Sequence, residues 1–472
     1  MRLAFALYGR VAGVIERDRG HTTLRYQTAY QRLRNATPLS LSMPVSDRTY
    51  SAKPVEAYLR GLLPDHPDVL DRWARKAGVK PGDWLGLVAH VGLDVSGGAV
   101  FAPEDEIEDA LVRPGRLAPA SDTEIAERLR RLRRDDAAWQ DDEDDEHWSL
   151  AGAQSKFTLA LTPDGWAHPE GSAPSTHIVK PGIGRIRSQA LSEHVSMRAL
   201  AIAGLPVAET HYLTFEDQDA IVVTRFDRQV RGGAVVRIHQ EDLLQAFALD
   251  PRRKYESDGG PGVARAVNLL RAAAGPRSVD RFARAVIANQ ILGAPDAHGK
   301  NYGLLLAGPT ADLTPLYDVA TGLVPNTAGR LPYTKGAMSI GGERRFGDVE
   351  RGNWEKFAQV AGLETEQVLT WVAELAEQLP AAFEQAASET TAPDADFVSS
   401  VVAKNVAAVA RQTLQGLTGT RRAGGRIITP FMETLSEQSR GPADGQPVPE
   451  RAPAGARTVG PDSGDDGWDS QQ

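Results

Sequence analysis

The chain has no cysteine among its 472 residues. Without thiols it can form neither a disulfide nor a thiolate metal site, and no cysteine nucleophile is available. It also lacks any apolar run close to the ~18 residues that a membrane-spanning helix needs. The opening segment Met1–Gly9 is typical of a short strand and lacks the apolar stretch and small-residue cleavage site of a signal peptide. We therefore expect a cytoplasmic protein that makes no membrane contact.

The chain also has fewer basic than acidic residues. Lys and Arg number 53 against 62 for Asp and Glu, which gives a formal net charge of -9. Because duplex binding depends on many contacts from Lys and Arg to phosphate, this balance argues against nonspecific nucleic-acid binding by the whole surface. A local basic patch stays open. With 41% hydrophobic and 24% charged residues, the composition suits two or three globular domains or one large bilobal unit.

The strongest chemical signal lies between Asp296 and Asn301, with a second acid at Asp318. An acid, an amide five residues later, a short apolar strand and another acid follow the spacing of a protein-kinase catalytic loop. On this interpretation Asp296 accepts the proton of a substrate hydroxyl, and Asn301 and Asp318 bind Mg²⁺. One amide and one carboxylate suffice because Mg²⁺ keeps waters and phosphate oxygens in its shell. The alternative is a polar loop in which Asp296 is a turn residue after Pro295.

Two upstream segments fit nucleotide binding. Small residues in the run Ser149–Lys156, directly before a strand predicted at Phe157–Leu161, would let backbone N–H groups approach phosphate oxygens. A tight hairpin turn explains the same residues, since no GxxxxGK[ST] Walker loop is present. Farther on, Lys180 ends an alternating strand and Glu193 lies on a helix predicted over Leu191–Leu205. Such a pair can form the ion pair that holds the phosphate-binding lysine of kinases.

The chain divides into five parts by composition and periodicity. Residues 1–115 mix short strands and helices as a small α+β subdomain in which no chemistry is expected. Residues 116–147 hold a helix and an acidic connector, and residues 148–230 form the nucleotide-binding part of a small lobe. Residues 231–420 are mainly helical and form a catalytic lobe. Residues 434–472 are rich in Pro, Gly, Ser and Asp and are predicted to be disordered.

Local signals predict helix starts and one solvated segment. Ser121 and Glu124 have the spacing of a capping box. Ser278 is predicted as the N-cap of a helix over Val279–Leu292 that delivers the catalytic loop. The run Asp135–Glu146 is dominated by acids, which repel one another and bury poorly, so it is predicted to be a solvated connector.

Seven motifs follow one another along the chain. They are Ser149–Lys156, His177–Lys180, Thr224–Arg228, Gln240–Leu243, Lys254–Gly262, Asp296–Asn301 and Tyr317–Asp318. In this order they resemble the HipA family, the serine/threonine kinase toxins of bacterial toxin–antitoxin pairs. The resemblance extends from the N-terminus to about residue 415.

The resemblance implies an α+β, protein-kinase-like bilobal fold, with a mixed α/β N-terminal lobe and a mainly helical C-terminal lobe. It implies ATP and Mg²⁺ as cofactors. It also implies a HipB-like helix-turn-helix antitoxin as partner, with DNA bound mainly through that antitoxin. The implied substrate is a protein such as an aminoacyl-tRNA synthetase, notably the glutamyl enzyme, whose phosphorylation stops tRNA charging and arrests growth.

Carried over by position, the resemblance gives each motif a role. Asp296 is the catalytic base, Asn301 and Asp318 bind Mg²⁺, and Ser149 is the autophosphorylated serine. The residues expected to bind the nucleotide are Ala151, Gly152, Ala153, Gln154, Ser155, Lys156, Lys180, Thr224, Arg225, Phe226, His298, Gly299, Lys300, Asn301, Tyr317 and Asp318. A phosphate on Ser149 is expected to displace the loop that follows it and so to switch the kinase off.

Two positions depart from the family pattern. Thr224 stands where a Glu is common, and Ala294 and Pro295 replace the pair that usually precedes the catalytic Asp. Neither change removes a catalytic side chain, so activity is expected to be kept.

Two other functions stay open on the sequence. A kinase of a lipid or a small-molecule alcohol would use the same phosphate-binding residues and differ only in its acceptor cleft. A catalytically idle subunit would instead stabilise a DNA-bound antitoxin as a co-repressor. ATP turnover separates both kinases from the idle subunit.

Overall fold

The computed structural model describes residues 1–113, 115–140 and 146–419. Residues 141–145 of the predicted connector and the whole predicted tail, residues 434–472, lie outside the described residues. The prediction of a solvated segment is wrong for the described ends of the connector, because Trp139 is fully buried and Glu146 is buried in an ion pair with Arg128 that compensates its charge. Within the described ranges, none of the helices combines the length and the hydropathy that a bilayer crossing requires.

The N-terminal region is built on a four-stranded antiparallel sheet in the order β3-β2-β1-β5. The strands of this region are β1 Arg2–Leu7, β2 Arg10–Asp18, β3 His21–Tyr26, β4 Asp94–Val95 and β5 Ala99–Pro103. The helices are α1 Thr28–Gln31, α2 Ala52–Leu62, α3 Pro67–Lys76, α4 Trp84–Val91 and α5 Ile107–Val112.

Strand β1 is buried on both faces. Its large side chains pack in one hydrophobic cluster and its alanines pack in another. Leu3 and Phe5 point into a large core that includes helix α2. Ala4 and Ala6 alternate with them and pack with Ile107 of α5 in a small separate cluster. Because both faces are buried, the sequence of the strand is a continuous apolar run and does not alternate between polar and apolar residues.

The small-lobe sheet has six strands in the order β11-β12-β10-β8-β9-β6. The strands of this segment are β6 Arg116–Pro119, β7 Trp148–Ser149, β8 Phe157–Thr162, β9 Gly165–Glu170, β10 His177–Lys180, β11 Thr210–Phe215 and β12 Gln218–Thr224. Its helices are α6 Asp122–Arg134 and α7 Gln189–Ile202. The predicted capping box of Ser121 and Glu124 is present at the start of α6.

The N-terminal region and the six-stranded sheet share one hydrophobic core. Trp73 of α3 makes edge contacts with Trp139 and Trp148, and the same cluster contains Phe157 of β8 and Val222 of β12. The short strand β7 also pairs in parallel with β4 of the N-terminal region. The N-terminal region is therefore packed directly against the six-stranded sheet.

The large lobe combines helices with three short antiparallel sheets. Its strands are β13 Arg228–Arg231, β14 Ala234–Arg237, β15 Gln240–Asp242, β16 Gly303–Ala307, β17 Thr310–Leu313, β18 Lys335–Ile340 and β19 Glu343–Arg345. Its α-helices are α8 Leu243–Ala246, α9 Val263–Ala273, α10 Pro276–Leu292, α11 Arg351–Ala361, α12 Thr365–Ser388, α13 Ala395–Phe397 and α14 Ala403–Thr418. Short 3₁₀ turns cover Pro251–Arg253, Glu256–Asp258 and Gly299–Asn301, and a π-helical turn covers Val398–Val402.

Helix α12 is the centre of the second core and packs against α7, α10 and α14. Helix α10 starts earlier than predicted. Its N-cap is Gly275 and Pro276 is its first residue, a position where the missing N–H of proline costs nothing. The prediction of Ser278 as N-cap is therefore wrong, because this residue lies inside the helix and its hydroxyl donates to Asp312 Oδ1 at 2.6 Å. The helix ends at Leu292, and Gly293, with a φ of 64°, turns the chain into the 294–301 loop.

Candidate active site

A cavity of about 600 Å³ lies where the Ser149–Lys156 loop, strands β10 and β12 and the 294–301 loop meet. Its walls include Asp296 and every residue predicted to bind the nucleotide except Ser155 and Gly299. Ser149 also lies outside the lining. Residues that are far apart in the chain are thus brought to one cleft.

Lys180, the last residue of β10, lies between two carboxylates. Its Nζ is 2.7 Å from Glu193 Oε1 on α7 and 2.5 Å from Asp318 Oδ1. The ion pair predicted between Lys180 and Glu193 is therefore present. Burial alone would lower the pKa of Lys180, but the charges of the two carboxylates raise it above its ordinary value. The lysine consequently stays a cation at neutral pH.

Asp318 is held in an uncommon backbone conformation. Its φ is 58°, in the left-handed region that non-glycine residues adopt rarely and mostly where the surrounding structure demands it. Burial would raise the pKa of its carboxyl, but Lys180 and Lys156 hold that pKa below its ordinary range. Asp318 is therefore ionised at neutral pH, which is the form that can bind a divalent cation.

Lys156 closes the side of the cavity that is formed by the Ser149–Lys156 loop. Its Nζ donates to the Ala151 carbonyl at 2.7 Å and lies 5.0 Å from the centroid of the Trp139 ring. Burial, and then the neighbouring charge of Lys180, lower the pKa of Lys156 to about 8. The charge of Lys156 is thus destabilised by burial and by Lys180, and an anion bound beside it would stabilise that charge.

Gly152 gives the loop its close approach to Lys156. Its φ is 106°, and a Cβ at this position would stand 2.7 Å from Lys156 Nζ. Any side chain here would therefore be strained and would fill the space beside the ammonium. The open space beside Gly152, with the ammonium groups of Lys156 and Lys180 next to it, fits the phosphate groups of a nucleotide.

Ser149 is fully buried in β7. Its hydroxyl donates to the Leu62 carbonyl at 2.7 Å. For Ser149 to accept a phosphoryl group, as predicted, this hydrogen bond and the pairing of β7 with β4 must first open.

The predicted base, Asp296, lies in the turn after α10 with 53% of its side chain exposed. The Tyr255 hydroxyl donates a hydrogen bond to Asp296 Oδ1, and His298 Nε2 is 3.5 Å from the same oxygen. Asn301 Nδ2 donates to the Asp296 carbonyl at 2.7 Å, which closes the loop on itself. Burial, and then the Asp296 charge, raise the pKa of the Tyr255 phenol, so it remains a donor.

The imidazole ring of His298 is buried in the cavity wall. Both of its ring nitrogens lack a hydrogen-bond partner among the described residues, and burial lowers its pKa, so the ring is neutral at pH 7. Unsatisfied buried polar atoms are uncommon and call for an explanation. In the wall of this cavity they fit contact with a polar ligand.

Asn301 and Asp318 offer the hard oxygen donors that Mg²⁺ prefers. Across the described part of the chain no group of three or more His, Cys, Asp or Glu side chains is placed to hold a metal. The residues therefore do not form a metal site by themselves. They do fit an ion that takes one amide and one carboxylate from the protein and the remainder of its shell from phosphates and water.

The segment Thr224–Phe226 leaves the small lobe at the end of β12. The side chain of Arg225 is buried and pairs with Asp227 at 2.8 Å and Asp94 at 3.3 Å. It is therefore committed to the protein rather than available to a nucleotide. The Phe226 ring instead packs 5.5 Å from the ring of Tyr317, whose hydroxyl donates to the Lys300 carbonyl.

Sequence reasoning assigned no chemistry to Asp65, yet this residue lines the cavity. Lys300 Nζ donates to its Oδ1 at 2.7 Å. An Asp after Pro64 is an ordinary turn residue, so nothing local marks it. Tyr255 belongs to the Lys254–Gly262 motif, but the sequence does not predict its hydrogen bond to Asp296.

Two family models match the chain. The HipA N-terminal domain matches residues 3–102, and the HipA-like C-terminal domain matches residues 148–383. The chain belongs to the HipA family. The two matched HipA segments contain the four-stranded sheet and both halves of the cavity described above.

Two relatives of the chain are named as kinases. It is 33% identical over 363 residues to Y4mE of Sinorhizobium fredii, a protein named as a kinase, across 75% of this chain and 84% of that protein. It is 29% identical over 300 residues to the serine/threonine-protein kinase toxin HipA of Shewanella oneidensis, across 60% of this chain and 66% of that protein.

A solved structure has the same fold. The match is to the Shewanella oneidensis complex of HipA, HipB and operator DNA, with a TM-score of 0.73 at 24% identity, and covers 88% of this chain and 97% of that chain. The predicted α+β bilobal fold, with a mixed small lobe and a mainly helical large lobe, is confirmed.

Proposed function

We propose that this HipA family member is a cytoplasmic serine/threonine protein kinase that uses ATP and Mg²⁺ and acts as a growth-arresting toxin. The observation that supports this best is the position of Lys180, which is paired with Glu193 and Asp318 in the cavity that also contains Asp296. In protein kinases a strand lysine paired with a helix glutamate and a metal-binding Asp must both be in place for phosphoryl transfer.

The residues divide into a phosphate side and an acceptor side. Lys180 and Lys156 provide buried positive charge for the nucleotide phosphates, and Gly152 keeps the space beside them open. Asn301 and Asp318 would hold Mg²⁺. That ion, when bound, neutralises negative charge on the transferred phosphoryl group.

Asp296 is the general base on the acceptor side. Tyr255 and His298 both face Oδ1 of its carboxylate, which leaves Oδ2 for the substrate hydroxyl. Oδ2 takes the hydroxyl proton while the hydroxyl oxygen bonds to the γ-phosphorus and ADP leaves. The hydrogen bond from Asn301 to the Asp296 carbonyl keeps base and metal ligand in one rigid turn.

The partner and target are inferred from relatives. The Shewanella oneidensis relative is named a toxin and was solved with HipB and operator DNA. We propose a HipB-like helix-turn-helix antitoxin as the neutralising partner, with DNA bound mainly through it, in keeping with the net charge of -9. The proposed substrate is an aminoacyl-tRNA synthetase of the glutamyl type, and Ser149 is the proposed site of autophosphorylation.

Phosphoproteomics after induction of the wild type and of Asp296→Asn tests the proposal. We expect phosphorylated Ser or Thr on an aminoacyl-tRNA synthetase only with the wild type. Loss of a general base should lower turnover by about 10²–10⁴-fold. The control is Asp280→Asn, which makes the same chemical change on helix α10 away from the cavity. Phosphate found only on a lipid or a small alcohol would overturn the protein-kinase proposal, and an absence of ATP turnover would favour the co-repressor.

A further inference from the structure

The turn that follows helix α2 forms hydrogen bonds with the Ser149–Lys156 loop, which is called the phosphate loop below. The Leu62 carbonyl accepts the hydrogen bond of the Ser149 hydroxyl at 2.7 Å. Three residues later, the backbone N–H of Asp65 donates to the Gly152 carbonyl at 2.9 Å. This turn of the N-terminal region therefore supports the loop at its first residue and at its central glycine.

The side chain of Asp65 reaches the opposite wall of the cavity. Lys300 Nζ donates to its Oδ1 at 2.7 Å, and Lys254 Nζ lies 3.8 Å from its Oδ2. Lys300 belongs to the catalytic turn that carries Asp296, and Lys254 directly precedes Tyr255, which donates to the same Asp296. One residue thus touches the phosphate loop through its backbone and both acceptor-side segments through its carboxylate.

The charges of this contact favour an anion in the cleft. Lys300 and Asp65 are 4% and 18% exposed at their side chains, so their ion pair is poorly screened by solvent. An ammonium has three donors, and Asp65 takes one donor of Lys300. Asp65 Oδ2 accepts no hydrogen bond from any residue that the structure describes. The single carboxylate therefore orients two lysines without cancelling their combined positive charge.

We propose that Asp65 is a positioning residue for phosphoryl transfer. It holds Lys300 and Lys254 on the acceptor side while its backbone holds Gly152 on the phosphate side, so the N-terminal region sets the separation of two loops that act on one phosphoryl group. This inference rests on the proposed kinase function. Asp65 acts through the lysines and the loop and does not touch the reacting atoms.

The test compares three variants of the full chain. Asp65→Asn keeps the backbone N–H and the side-chain shape but removes the charge. We expect kcat to fall by about 10- to 100-fold, since a misplacement of about 1 Å away from the chemistry costs ~10²-fold, while KM for ATP changes much less. Asp65→Glu restores the charge and should recover part of kcat. Asp68→Asn removes an exposed carboxylate on the next helix and should match the wild type.

Hydrogen exchange of the nucleotide-free protein gives a second measurement that does not depend on activity. Backbone amides of residues 150–153 and 299–301 should exchange faster in Asp65→Asn than in Asp68→Asn. If the wild type transfers no phosphate, the proposed kinase function fails, yet faster exchange in both loops would still support Asp65 as the residue that positions them. If Asp65→Asn matches Asp68→Asn in exchange, or lowers only the melting temperature with kcat unchanged, the inference is wrong.

Discussion

Two of the groups of charged side chains that this protein buries are built on different principles. The hinge cluster consists of Asp94, Asp227, Arg225, Arg228 and Arg237. Arg228 lies 2.8 Å from Asp94 and 3.1 Å from Asp227, and Arg225 contacts the same two carboxylates. Although burial would raise them, the pKa values of both carboxyls are held below their ordinary range by the arginines. Each carboxylate in this cluster is therefore shared by at least two guanidinium groups.

The cleft cluster consists of Lys156, Lys180, Glu193, Asp318 and Lys300. Its cations are all lysines, and one of them, Lys156, has a pKa lowered to about 8 by burial and by Lys180. Asp318 carries a strained backbone, and neutral His298 lies beside the cluster without a hydrogen bond from any described residue. Unlike the three arginines of the hinge cluster, Lys156 forms no ion pair with a carboxylate of the described residues, and its Nζ donates to the Ala151 carbonyl instead.

The contrast separates a structural role from a functional one. The planar guanidinium of Arg presents a rigid fork of donors that fixes geometry, whereas Lys is a flexible point charge whose pKa shifts readily. The hinge cluster joins the N-terminal region to the end of β12, and each of its three arginines forms an ion pair with Asp94, Asp227 or both. In the cleft cluster Lys156 donates only to a backbone carbonyl, and on the proposed function its charge is available to phosphates. Removal of a carboxylate from each cluster should therefore have different consequences.

The largest effect is expected from Asp318→Asn in the cleft cluster. Turnover should fall on the order of 10³-fold, because a lost metal ligand removes several kcal/mol of transition-state stabilisation. The melting temperature should change little, since Lys180 keeps its ion pair with Glu193. Steady-state kinetics and calorimetry measure the two quantities. Near-full turnover with Mg²⁺ would show that Asp318 is not a metal ligand.

The matching change in the hinge cluster, Asp94→Asn, should act on stability. It leaves Arg225 and Arg228 buried with Asp227 as their remaining carboxylate, and breaking a buried pair in this way costs about 3–5 kcal/mol. Urea unfolding of the variant and of the exposed control Asp105→Asn gives the difference. If Asp94→Asn is as stable as Asp105→Asn, the contrast between the clusters is lost.

Lys180 is expected to govern nucleotide affinity. Lys180→Ala should weaken ATP binding by about 10- to 100-fold, because a hydrogen bond to a charged group contributes about 1.5–3 kcal/mol. Glu193→Gln keeps the lysine and removes only its helix partner, so its effect on ATP affinity should be smaller. Isothermal calorimetry of both variants checks this order, and equal affinities for wild type and Lys180→Ala would contradict the assignment.

The smallest expected effect concerns Lys156. Titration of its ammonium group should make the affinity for ATP depend on pH. Its pKa is lowered to about 8, so the free protein loses this ammonium charge as pH rises through 8, and ATP affinity should fall severalfold between pH 7 and pH 9. Lys156→Arg keeps its charge throughout this range and should lack the dependence. Calorimetric titrations at a series of pH values are sufficient, and identical pH profiles for the two proteins would exclude Lys156 as the titrating group.

Much of the cleft was predictable because its segments are local. The spacing of Asp296 and Asn301 within one turn is set by the chain itself, and the alternation that ends at Lys180 marks a strand whose partner Glu193 is on the next helix. Small residues at Ala151 to Ala153 predicted a close backbone approach. The N-cap at Ser278 was wrong because Gly275 and Pro276 provide a start one turn earlier.

By itself the sequence determined the lobes, the local loops and the chemistry that each motif offers, since these depend on residues a few positions apart. The tertiary structure decided which distant groups meet. Asp65 and Lys300 are separated by 235 positions, and Asp94 and Arg225 by 131. No local pattern encodes such contacts, because they arise only when two regions fold onto one shared core and bury opposite charges against each other.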